Sequence, residues 1–332
     1  MIAGIHPTFN EHTARSPGLP PLRTKDSLNA DLQIIHEGLM APNAWLSSKF
    51  FYDETGSRLF EAITQLPEYY LTRTERTIFE QAQSELVDAI GTGSVMIDLG
   101  AGNCEKAERL FKDLRPSHYF AIDAASEFLT ASLKRIRADH PALPVHQVNA
   151  NFTHGLTLPA DIPGDQRLVF FPGSTIGNFD PDEAVGLLRE MARLAGPSGR
   201  CLIGIDLVKP TEILEAAYND AQGITAKFNL NILTVVNEVA KADFDLSQWE
   251  HRAFFNAAKG RIEMHLESTS DQWVHWCGGQ RQFKRAERIH TENSYKFTLK
   301  GFESLLQAAG LNQRSVFTDD QQWFALVIAE PA

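Results

Sequence analysis

The sequence predicts an α/β protein, a doubly wound and mostly parallel sheet joined to a second lobe. Three observations carry that expectation. Apolar runs and amphipathic stretches alternate from Ser94 to Asp206. The apolar runs are continuous, as in strands buried on both faces, and the alternation stops after Asp206.

Taken in order, helical spacing runs from Leu28 to Ile35 and returns over "TRTERTIFEQAQSELVDAIG", with Thr74 expected as N-cap and Gly91 as helix stop. "SVMIDLG" reads as a buried strand, "CEKAERLFKDLR" as a helix, "HYFAID" as a strand and "SEFLTASLKRIRADH" as a helix. "PVHQVNANF" and "RLVFFPGS" are the next strands, followed by the helix "PDEAVGLLREMARLA" and the strand "RCLIGID". Beyond Asp206, "KPTEILEAAYNDAQGITAKFNLNILTVVNEV" holds two helices. "HRAFFNAAKGRIEMHLESTSDQWVH" is a hairpin turning at Lys259–Gly260. "YKFTLKGFESLLQAAG" and "QWFALVIA" supply a last helix and strand that return to the sheet. The sheet domain is thus expected from residues 74–208 with 297–332, and the second lobe from 27–73 with 209–296. Residues 1–26, rich in proline and polar side chains, read as a loose arm.

A net charge of −11 with no long block of one sign argues against nucleic acid or an anionic membrane as partner. The three cysteines stand far apart, without metal-ligand spacing, so neither a disulfide framework nor structural zinc is expected. No run approaches the roughly 18 apolar residues of a membrane span, and no apolar leader opens the chain. A cytoplasmic monomer is the expectation.

Chemistry concentrates in four stretches. "IDLGAGNCEKAERL" puts Gly100 and Gly102 between a strand and a helix, where backbone can approach a nucleotide closely. Asp123 ends the next strand, placed to grip two ribose hydroxyls. Glu105 replaces the third glycine of a dinucleotide fingerprint and Asp98 adds a second acid, which favours a ligand without phosphates such as S-adenosylmethionine (SAM). A tight turn explains the two glycines equally well. Asn151 and Phe152 follow the third strand, where an amide and a ring suit adenine, although Phe152 also suits a core.

"FFPGSTIGNF" leaves the fourth strand at the ligand-binding edge of such sheets, with Gly173 permitting close approach and Asn178 offering an amide; a helix-capping turn is the plainer reading. In "TENSYKF", Glu292 and Ser294 share a face if the segment is a strand. A carboxylate beside a hydroxyl can address both nitrogens of one imidazole; an exposed acidic strand fits the spacing too. Lastly, Lys49–Glu75 gathers Tyr52, Tyr69 and Tyr70 from a chain with six tyrosines.

"FYDETGSRLFEAITQLPEYYLTRTE", "DLGAGNCEK", "PGSTIGNF", "AYNDAQGITAKFN", "NEVAKADFDL", "RIEMHL" and "TENSYKF" occur in this order from about residue 28 to the C-terminus. Together they resemble the L-histidine Nα-methyltransferases of ergothioneine biosynthesis, which convert histidine to its trimethylated betaine, hercynine. The resemblance implies a class I SAM-methyltransferase, a Rossmann-like doubly wound sheet with a substrate-binding lobe, using SAM and no metal. It implies SAM contacts at Gly100, Gly102, Lys106, Asp123, Asn151 and Phe152, with Asn151 standing where the family usually has an acid. It places the substrate carboxylate at Asn178 and Tyr218, the amine near Tyr52 and Tyr69, and the imidazole at Glu292 and Ser294. Phe60, Gly173 and Met264 would line the same pocket, with Phe60 and Met264 equally suited to a core, while Tyr70 is left to packing. Another amino acid or a modified histidine as acceptor, a dehydrogenase on the same sheet, and a non-catalytic binding module are the rival readings.

Overall fold

The computed structural model describes residues 25–123, 126–149, 164 and 166–332. The expected arm up to residue 24, and Asn151 and Phe152, lie outside the described residues. Helix α1 (Lys25–Met40) begins just before the arm's expected end. A 3-10 turn (Ser48–Phe51) then leads to α2 (Glu54–Ile63), whose N-cap Asp53 accepts from the Gly56 N–H at 2.7 Å.

The single helix expected over residues 72–91 is two, α3 (Tyr70–Gln81) and α4 (Gln83–Ile90), parted at Ala82. Thr74 is not a cap. It lies buried within α3, because the helix starts four residues earlier, where the ring of Tyr70 is buried. Gly91, at φ 85°, does end α4.

The alternating elements follow as β1 (Val95–Leu99), α5 (Glu105–Leu114), β2 (His118–Asp123), α6 (Ser126–Asp139), β3 (Val145–Asn149), β4 (Arg167–Phe171), α7 (Pro181–Ala195) and β5 (Arg200–Asp206). Next come α8 (Thr211–Ala216), α9 (Ile224–Ala240), β6 (Trp249–Asn256), β7 (Arg261–Ser268), β8 (Gln272–Trp276), β9 (Gly279–Phe283) and β10 (Arg288–Tyr295). The chain closes with α10 (Leu299–Ala308), β11 (Leu311–Thr318) and β12 (Phe324–Pro331).

The main sheet has seven strands in the order β11-β12-β5-β4-β1-β2-β3. β1 to β5 are parallel, and β12 runs antiparallel between β5 and β11. The strand order reverses between β1 and β4, so a crevice opens at their carboxyl ends. Two apolar layers sandwich the sheet, one built on residues such as Met96, Phe170 and Leu326, the other on Ile97, Phe171 and Val327. Neighbouring residues of one strand thus enter opposite layers, which is why the strands read as unbroken apolar runs.

A three-stranded antiparallel sheet, β10-β7-β6, carries the hairpin expected at Lys259–Gly260. Gly260, at φ 65°, makes that turn. Helix α9, buried along most of its length, packs against this sheet on one side and α2 on the other. The hairpin β8–β9 stands apart as a two-stranded ribbon. No helix among the described residues is long and apolar enough to cross a membrane.

Candidate active site

The carboxyl ends of β1, β2 and β4 open onto one cavity of about 2400 Å³, shared with α2, α3 and β10. Its floor is the loop after β1. Gly100 and Gly102 hold φ of 73° and 52°, and the Gly102 N–H donates to Asp123 Oδ2 at 2.9 Å. That bond ties the end of β2 to the glycine loop. Asp98, just before it, is pushed up to about 7 by burial, against a hydrogen bond from Tyr119 that favours its charge. A partly neutral acid beside an acidic first helical turn is a poor cradle for phosphate.

Glu75, on α3, joins this loop to the next. Its buried carboxylate accepts from Lys106 Nζ and from the Gly173 N–H, each at 2.6 Å. Gly173 holds a φ of 78°, which L side chains rarely adopt, and a Cβ there would lie 2.8 Å from Lys106 Nζ and push the ammonium aside.

The stretch "GSTIGN" forms a left-handed residue, Ser174 (φ 59°), then a 3-10 turn (Thr175–Asn178). Ser174 Oγ accepts from the Asp206 N–H at 2.8 Å, while α7 is capped separately by Asp180 and Glu183. The turn presses on β10: a Cβ at Gly177 would lie 2.9 Å from the Tyr295 carbonyl oxygen. Asn178 thereby reaches the cavity, its Nδ2 donating to Glu292 Oε1 at 3.4 Å.

"TENSYKF" is a strand, as the same-face reading requires. A bulge between His290 and Glu292 resets the register, after which Glu292 pairs with Met264 and Ser294 with Ile262. Both Glu292 and Ser294 line the cavity. Burial pushes Glu292 up to about 7, and the nearby Lys296 ammonium moderates the rise. Ser294 Oγ accepts from the Tyr218 hydroxyl and from Lys296 Nζ, each at 2.7 Å.

Facing these groups is an aromatic wall. Tyr52 meets Phe60 and Phe228 edge-on at 6.0 and 5.9 Å between ring centres. Phe60 meets Tyr69 at 6.4 Å, and Tyr69 meets Tyr218 at 6.4 Å. Burial, then the neighbouring Tyr218 and Glu292, raises the Tyr69 phenol well above its ordinary value. Tyr69 therefore stays protonated at neutral pH and offers a hydroxyl, not a phenolate. Tyr52 is 38% exposed and lines the cavity.

The model of a family described as histidine-specific, SAM-dependent methyltransferases matches residues 30–331. The chain belongs to this family. The histidine N-alpha-methyltransferase of Mycolicibacterium smegmatis is 37% identical over 302 residues, which cover 89% of this chain and 93% of that protein. The protein of the same name from Mycobacterium tuberculosis is 35% identical over 302 residues, 89% and 93% of the two chains. Ergothioneine biosynthesis protein 1 of Neurospora crassa is 30% identical over 86% of this chain, which spans 33% of that longer protein.

The residues of this histidine-specific methyltransferase fit the methyl donor of its family. A nucleoside bearing an amino acid, without phosphate, suits a glycine loop joined to Asp123, a lysine on the adjoining helix and acids in place of phosphate ligands. All the expected site residues within the described part of the chain line the one cavity.

Some residues at the site were not singled out from the sequence. Glu75 looks like any charge on an amphipathic helix, and Phe228 like any core ring. Asp206 and Lys296 did leave signals. Asp206 ends β5 as Asp123 ends β2, and Lys296 continues the face shared by Glu292 and Ser294. The packing role expected for Tyr70 is incomplete. Its ring packs on Trp323, and its hydroxyl donates to Asp206 at 2.6 Å from the bottom of the site.

Proposed function

We propose that the chain methylates the α-amino nitrogen of L-histidine three times with SAM, giving hercynine, the first step of ergothioneine biosynthesis. The methyl donor is assigned to Gly100, Gly102, Lys106 and Asp123 on the sheet domain, residues 74–208 with 297–332. The acceptor is assigned chiefly to the lobe of residues 27–73 with 209–296, its imidazole at Glu292 and Ser294 and its carboxylate at Tyr218 there and at Asn178 on the sheet domain. Phe60, Gly173 and Met264 complete the lining.

The observation that carries this reading is the meeting of these two groups of side chains in one cavity, with Tyr52 and Tyr69 also on its wall. SAM supplies a sulfonium methyl group that an aligned amine lone pair displaces in line. The chain's task is then chiefly positioning. Tyr69, held protonated, can give or accept a hydrogen bond at the amine without needing a charge of its own. A carboxylate at that point would keep the ammonium protonated and block the lone pair. Each transfer releases one proton, and the product is a quaternary cation without N–H. Aromatic faces such as those of Tyr52, Phe60 and Tyr69 tolerate that cation, by roughly 0.5–2 kcal/mol of cation–π attraction.

Incubation of the protein with SAM and L-histidine, followed by mass spectrometry, tests the reading. Histidine gaining one, two and three methyl units is expected. An unmodified histidine pool, with SAM bound, would sink it.

A further inference from the structure

Below the cavity lies a buried cluster of charges around Asp206. Asp206, at the end of β5, accepts from Lys209 Nζ and the Tyr70 hydroxyl, and its second oxygen forms an ion pair with Lys296 Nζ at 2.8 Å. The side chains of Asp206 and Lys296 are fully buried and that of Lys209 nearly so. One carboxylate thus faces two ammonium groups. Lys209 and Tyr70 also bind Asp206. A buried cation is costly unless it is paired and hydrogen-bonded, and a neutral side chain would fill the same space.

Lys296 turns its other hydrogens toward the acceptor side. Its Nζ donates to Ser294 Oγ at 2.7 Å and to the Tyr218 hydroxyl oxygen at 3.3 Å. An ammonium has three N–H groups and no lone pair, so these directions are fixed. The Tyr218 hydroxyl points its hydrogen at Ser294 Oγ, 2.7 Å away, and an acceptor carboxylate at Tyr218 draws that hydrogen off. Lys296 donates into Ser294 Oγ in either case, so the serine's own hydrogen is left to be given to a ring nitrogen. Two residues along the same strand face, Glu292 offers a carboxylate to the same cavity.

We infer that Lys296 is a positioning residue for the acceptor. It biases Ser294 toward donating beside the acceptor Glu292, so that the pocket favours a ring with one N–H and one unprotonated nitrogen. A neutral imidazole has that pattern; an indole, a phenyl ring and an imidazolium do not. Lys296 lies outside the residues that line the cavity and acts through Ser294. The inference rests on histidine as the acceptor and adds the protonation state in which it is bound.

The test measures KM for L-histidine and Kd for SAM in wild type, Lys296→Met, Ser294→Ala and the double variant. Lys296→Met is expected to raise KM roughly ten-fold, as loss of one charge-assisted hydrogen bond does, with SAM affinity unchanged. The double variant should be no worse than Ser294→Ala alone, because the lysine acts through that serine. Losses that multiply, an unchanged KM in Lys296→Met, or SAM affinity falling in step would overturn the inference. Should Lys296→Met fail to fold, Lys296→Gln replaces it. That amide can accept from Ser294 and release the lock, so a KM roughly three- to ten-fold higher is expected, and a wild-type KM overturns the role. Wild type that leaves L-histidine unmethylated sinks the functional reading. Wild type that methylates it, beside a Lys296→Met of unchanged KM, sinks only the part given to Lys296.

Discussion

Glu75 and Lys106 meet at 2.6 Å, and through that contact α3 holds the helix that follows the glycine loop. The second oxygen of Glu75 holds the Gly173 N–H, so one buried carboxylate fixes two walls of the cavity. In Glu75→Gln the amide oxygen can keep Gly173, but the ammonium loses its counter-charge. The Lys106 side chain is 38% exposed, so solvent screens much of the effect. A loss of about 1–2 kcal/mol in SAM binding, roughly five- to thirty-fold in Kd, is expected by calorimetry. The KM for histidine should move far less.

Glu292 makes stability depend on pH in an unusual direction. Its folded value is about 7 against 4.5 for an ordinary glutamate, chiefly through burial. Between those values the folded chain holds a proton that the unfolded chain has released. Raising pH through that window therefore destabilises the fold, by on the order of 3 kcal/mol once complete. Glu292→Gln lacks this titration. Thermal melts should show the variant more stable than wild type at pH 8, with the gap closing near pH 5. Its KM for histidine should nevertheless rise, because the amide is a poorer acceptor for a ring N–H. A gap independent of pH would mean that Glu292 titrates as an ordinary exposed acid.

Tyr69 tests the mechanism at the nitrogen. As a protonated hydroxyl it serves an amine that still has N–H groups to orient. Tyr69→Phe should lower kcat/KM with L-histidine by roughly 10²-fold, the lower end for a positioned proton-transfer group. With Nα,Nα-dimethylhistidine the loss should be smaller, since fewer N–H groups remain. Initial rates on both substrates by mass spectrometry give the comparison, and equal losses would assign Tyr69 to shape alone.

Much of this site was legible in the sequence because its residues sit where local rules act. Gly100 and Gly102 follow a strand, Asp123 ends one, and Glu292 and Ser294 obey the two-residue period of β10. What stayed hidden depends on long-range pairing. The break at Ala82 falls between two helices that share one amphipathic pattern, and the early start of α3 reflects Tyr70 docking on Asp206 across 136 residues. β11 escaped notice because "LNQRSVFT" is an edge strand with a mixed face, where β12 rather than apolar content decides its conformation. Tyr70 shows the same limit: its burial was expected, its partner was not.

Gly177 links a backbone contact to acceptor affinity. Its conformation is open to any residue, but a Cβ there would stand 2.9 Å from the Tyr295 carbonyl oxygen, a backbone atom of β10 that has little room to retreat. Gly177→Ala must push the 3-10 turn off the strand or bend β10 away. Either movement separates Asn178 from Glu292, which lie 3.4 Å apart across that junction. A displacement of this kind can cost as much as 10²-fold in rate when it shifts a positioned group by about 1 Å. The expected outcome is therefore selective: kcat/KM for L-histidine falls roughly ten- to hundred-fold, while SAM still binds, because the glycine loop and Asp123 are held by their own hydrogen bond. Steady-state rates beside a SAM titration separate the two halves, and equal damage to both would show that the turn supports the whole cleft, not the acceptor end.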